Sequence, residues 1–137
     1  MMHDAATVRA PADIARAIRE SAAFTPETLH ERQRVGFGVA LAAQLCATPA
    51  LLERGVTTAM RWIGDGNAHV PRSLRGWQVL CTAGDVDTVL LALEAMTEYA
   101  DELRVSHPLV GILDDGDVAV ISARARGEEP ARAMGLA

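Results

Sequence analysis

The chain has 137 residues, half of them hydrophobic, with thirteen basic side chains, all arginine, against eighteen acidic ones. That length suits one domain with a real core, and a net charge of −5 lacks the basic stripe of a nucleic-acid binder. No apolar run reaches the ~18 residues of a membrane span, and no signal-peptide core opens the chain. Cys46 and Cys81 stand alone and far apart, so neither a disulfide scaffold nor a zinc knuckle is indicated. The expectation is a reduced, cytoplasmic protein without nucleic-acid or membrane partners.

The first ten residues carry no periodicity and read as a frayed start. Pro11 opens a short amphipathic helix with Ile14, Ala17 and Ile18 on one face. Thr25-Pro26-Glu27 signals the next helix start, with a capping hydroxyl, a first-position proline and an acid in the first turn. That pattern runs to Cys46 through Leu29, Val35, Val39, Leu41 and Leu45. Gly36 and Gly38 each weaken it by about 1 kcal/mol, or permit close packing. Thr48-Pro49 repeats the start signal, and Leu51, Leu52, Val56, Met60 and Ile63 give a third helical face. The turn cluster Gly64-Asp65-Gly66-Asn67 ends it.

The second half changes character. Residues Gly76 to Thr82 are short and strand-forming, which predicts a strand. Asp85 or Asp87 then caps a helix with Val89, Leu90, Leu93, Met96, Ala100 and Leu103 inward and Glu94, Glu98, Asp101 and Glu102 wet. Pro108 stops it. Leu109–Leu113 and Val118–Ser122 flank Asp114-Asp115-Gly116-Asp117, which reads as a hairpin. The predicted fold class is α+β: a small antiparallel sheet covered by one long helix over 87–104. An added N-terminal helical region over 1–48 precedes an α+β domain over 49–137.

Four histidines and two cysteines show no ligand spacing, so no metal is expected, and no cofactor is implied. The Gly64–Gly66 turn lacks the strand-loop-helix context of a phosphate cradle, and no serine sits in a nucleophile elbow. Glu102-Leu103-Arg104-Val105-Ser106-His107-Pro108 is different, because it closes a helix and opens the next element. The plain reading is that Pro108 stops the helix and His107 sits favourably at its C-terminal dipole.

The stretch from Glu102 to the end resembles the pterin-4a-carbinolamine dehydratase family. Glu102 falls on the family's acidic position, Ser106-His107-Pro108 on His-His-Pro, Ser122-Ala123-Arg124 on Ser-Thr-His, and Leu136-Ala137 on the closing Leu-Ala. The resemblance spans roughly residues 60–137 and is firm only over 102–137. It implies a pterin pocket in which histidines move the protons of water elimination, a task suited to imidazole near neutral pH. Here His107 is the only one of those three histidines kept; Ser106 and Arg124 replace the others, and Asp114 replaces the hairpin aromatic. Serine has no useful proton-shuttling pKa, and arginine donates without accepting.

The resemblance therefore implies a divergent, non-catalytic member that binds a protein or assembles with itself. His107 is the candidate catalytic residue, and Ser106, Arg124, Glu102 and His69 are the candidate ligand-binding residues. The donor-rich set around Arg124 suits a pterin-like or anionic small molecule. The small-residue stretch VGFGVALAAQLCA must be covered by the rest of the chain or by another subunit, which makes a homo-oligomer expected. Two alternatives stand: an active 4a-hydroxytetrahydropterin dehydratase that relies on His107, and an unrelated small helical interaction module. Convergence of Ser106, His107 and Arg124 on one cavity would separate them.

Overall fold

The computed structural model describes residues 10–64, 72–109 and 111–128. Helix α1 (Pro11–Glu20) is followed by α2 (Leu29–Ala47), a single 3-10 turn over Pro49–Leu51, and α3 (Leu52–Gly64). Then come α4 (Arg72–Ala83), α5 (Val86–Glu94), α6 (Glu98–Val105) and α7 (Asp115–Ala125). Among the described residues there is no sheet, only one isolated antiparallel bridge between Ala23 and Thr97. The expected α+β class is thus corrected to an all-helical fold. His69, the turn at 65–67 and the apolar close at 134–137 lie outside the described residues.

Each of the three misread elements has a physical reason. The expected strand at 76–82 lies inside α4, whose buried residues Ser73, Leu74, Trp77, Leu80 and Cys81 recur at helical spacing. The strand-like window was too short to reveal that period. The expected hairpin turn is a helix start. The Asp114 side chain accepts the Asp117 N–H at 2.8 Å, and Asp115 and Asp117 fill the first turn of α7. A carboxylate at an N-cap satisfies an orphan backbone donor, which outweighs the modest helix penalty of Val118, Val120 and Ile121.

The long helix over 87–104 is two helices. Residues 22–24 of the chain cross the break, where Phe24 N–H donates to the Met96 carbonyl and Glu98 N–H to the Ala22 carbonyl, both at 2.9 Å. Thr97 caps α6 through its hydroxyl, which accepts the Ala100 N–H. Arg104, 2 % exposed, closes the other side of the break. Its Nη1 donates to the carbonyls of Ala92, Leu93 and Ala95 at 3.2, 3.3 and 2.8 Å, which are the orphan acceptors at the end of α5. Arg34 of α2 holds Asp101 through two contacts of 3.1 and 2.9 Å.

The start of α2 also differs from expectation by three residues. Thr28 is the cap, and it exchanges hydrogen bonds with Glu31 in a capping box, Thr28-x-x-Glu31. Backbone N–H groups of Thr28 and Glu27 hold the exposed Glu31 carboxyl below its usual value.

The helices share one buried cluster. Ile14 and Ile18 of α1, Leu41 and Leu45 of α2, Trp77 and Leu80 of α4, Leu93 of α5 and Leu103 of α6 meet in it. Trp77 is fully buried, and its indole N–H donates to the Leu103 carbonyl, so its polar edge has a partner. Helix α2 packs against α5, α6 and α7. At Gly38 the α2 backbone comes so close to α5 that a Cβ would overlap the Leu93 carbonyl oxygen.

Candidate functional site

The residues singled out in the sequence are spread over three hollows. His107 lies with Phe37, Leu41, Leu109, Leu113 and Val118 around an apolar pocket of about 210 Å³ at the start of α7. Its Nδ1 accepts the Leu109 N–H at 3.2 Å, which places the neutral ring's proton on Nε2. Burial pushes its pKa below the usual value. No second polar side chain lines that pocket, so the imidazole has no acid or nucleophile to work with.

Ser106 is turned elsewhere, to a hydroxyl–hydroxyl hydrogen bond with Ser73 that ties the end of α6 to α4. Arg124 lines a groove of about 480 Å³ between α2 and α7, with Val35, Gly36, Val39, Ala40 and Ile121. The three positions expected on one cavity therefore do not share one. Cys81 offers no chemistry either, because burial pushes its thiol up to about 12. Among the described residues no cluster of side chains suits a metal ion.

Glu102 belongs to the third hollow, and there the arrangement is of a different kind. Residues of α1, α4 and α6 border an open hollow of about 450 Å³, with Glu20 and the α1 C-cap Ser21 on one side, Arg72 at the start of α4, and Glu98, Tyr99 and Glu102 on α6. Glu98 and Glu102 are exposed and one turn apart on α6, which brings both carboxylates to one helix face. The Arg72 guanidinium lies over the Tyr99 ring, 5.8 Å from its centroid, in a cation–π arrangement. Tyr99 is only 7 % exposed, and its hydroxyl faces the α4 wall, 3.8 Å from where a Gly76 Cβ would stand.

The polar groups of this hollow are poorly satisfied by the protein itself. The Tyr99 hydroxyl and the Arg72 Nε are both buried without a well-formed hydrogen bond, and the polar side chain near that hydroxyl is Arg72 itself. Among the described residues Arg72, Glu98 and Glu102 enter no salt bridge, with each other or with anything else. Burial raises the Tyr99 pKa, with the Arg72 charge opposing and the Glu102 charge adding. Charges of both signs thus border one cavity and leave each other unpaired.

Of these residues the sequence reasoning named only Glu102. Glu98 reads as part of a wet face, and no motif in the local pattern singles out Arg72 or Tyr99. The usable signal was the chain's single tyrosine set between acids at Glu98 and Glu102. No family model, curated protein or solved structure matches this chain. Among the described residues no single helix is long and apolar enough to cross a membrane.

Proposed function

We propose that this protein is a small helical binding module whose site is the α1–α4–α6 hollow. It takes up a small polar molecule there without transforming it. The observation that carries the reading is the unpaired state of Arg72, Glu98 and Glu102 around a single cavity backed by the buried Tyr99 hydroxyl. Buried polar groups in native proteins are satisfied in the large majority of cases, and a bound ligand is one way to satisfy these. The hollow holds no histidine or cysteine, and its one serine, Ser21, accepts the Tyr99 backbone N–H, an arrangement that supports binding.

The test is an NMR titration of the full chain with a panel of small amines, amino acids and anions. The expected result is amide shifts concentrated at Ser21, Arg72, Tyr99 and Glu102. A panel that perturbs none of them, or only residues around His107 or Arg124, overturns the reading.

Self-association is a second reading, supported by Val39. That side chain is 52 % exposed in the α2–α7 groove, with Val35 and Ile121 beside it. A second copy of the chain would cover these side chains and remove apolar area from water. Sedimentation of the wild type and Val39→Glu decides it: a dimer that the variant abolishes supports the reading, and a monomer at all concentrations sinks it.

A further inference from the structure

We infer that the ligand of the α1–α4–α6 hollow is a dibasic amino acid of the lysine or arginine kind, an inference that rests on the binding role just given. The hollow presents two unpaired carboxylates, Glu98 and Glu102, and one unpaired guanidinium, Arg72. A molecule with two cationic groups and one carboxylate matches that set group for group and carries the opposite net charge. A simple diamine leaves Arg72 unanswered, and a monocarboxylate leaves both glutamates so. Glu20 is already engaged within the protein and is not needed in this match.

The seat of the ligand carboxylate is the Arg72–Tyr99 pair. The guanidinium now covers the tyrosine ring, and its Nε and the tyrosine hydroxyl are both donors held out of solvent without an acceptor. A carboxylate seated on Arg72 gives the guanidinium a charged acceptor, and Tyr99, which lines the same hollow, stands beside it. The ammonium groups then meet Glu98 and Glu102 along α6. The open hollow of about 450 Å³ has room for such a molecule.

Calorimetry of the full chain with three probes tests this: L-lysine, cadaverine (lysine without its carboxylate) and norleucine (lysine without its side-chain ammonium). Lysine is expected to bind at least about tenfold tighter than either of the others. Tyr99→Phe and Arg72→Met, checked for folding by circular dichroism, should bring lysine down to the cadaverine level and leave cadaverine unchanged. Glu98→Gln with Glu102→Gln should weaken lysine and cadaverine together.

Cadaverine binding as well as lysine, or a lysine-to-cadaverine ratio that Arg72→Met does not move, overturns the assignment of the carboxylate seat. In either case the binding role survives. Failure of lysine in a folded protein whose hollow still answers another member of the NMR panel overturns the ligand class alone. Silence of the hollow toward every probe and the whole panel overturns both.

Discussion

Arg104 shows how one side chain fixes a junction. Its guanidinium is held in the interior because three carbonyls at the end of α5 need a donor and water cannot reach them. Arg104→Met removes that donor while keeping most of the stem, and should cost about 3 kcal/mol in urea denaturation. Arg104→Lys should restore it only in part, because the ammonium is more strongly hydrated and costs more to bury than the guanidinium.

His107 makes a second prediction, in pH. Burial disfavours the imidazolium, so the folded chain binds this proton more weakly than the unfolded one, where the value is near 6.5. Below that value the unfolded state holds the extra proton, so stability falls with acidification until the folded value is passed. Protonation also removes the Nδ1 lone pair that accepts the Leu109 N–H. Melting temperature followed from about pH 7 to pH 5 should drop more steeply for the wild type than for His107→Gln, and parallel curves would refute the assignment.

At the scale of elements, boundaries are set by caps and by close approach. Asp114→Ala should cost about 1 kcal/mol and fray the start of α7, visible as lost helical signal in circular dichroism. The same substitution in a hairpin turn would leave helix content unchanged, so the result separates the two assignments for Asp114–Asp117. Gly38→Ala sets a Cβ against the Leu93 carbonyl oxygen and the Arg104 Cδ, and the backbone oxygen has no room to retreat. It should destabilise by about 3 kcal/mol, whereas Gly64→Ala, with open space around the new methyl, should be neutral or slightly stabilising.

These particulars show which parts of the fold were readable. Helix α1, the body of α2 and most of α3 follow from apolar residues at spacings of three and four, and the structure places them there. The Asp114 cluster was ambiguous because aspartate and glycine serve both tight turns and helix starts. The break at Thr97 carried no proline or glycine, so the apolar pattern ran through it without interruption. The crossing segment 22–24, distant in sequence, and the Arg104 side chain supply hydrogen bonds that make the break tolerable.

For the whole molecule, the amino-acid sequence by itself determined a chain with one substantial core, acidic overall, with helices wherever apolar residues recur at helical spacing. Those properties are local or additive: composition, charge and periodicity act residue by residue. Tertiary structure decided that the strand-like segment 76–82 is helical, because Trp77 and Leu80 find their neighbours on α1, α2 and α6 rather than in a sheet. It also decided the site. Ser106, His107 and Arg124 look adjacent in a motif, yet a helix terminus, a loop and a distant turn of α7 send them to different surfaces. Arg72, Tyr99, Glu98 and Glu102 come from two helices, and the packing of α4 on α6 sets them around one cavity. Which charges remain unpaired is a matter of distances between elements, and no local pattern encodes those distances.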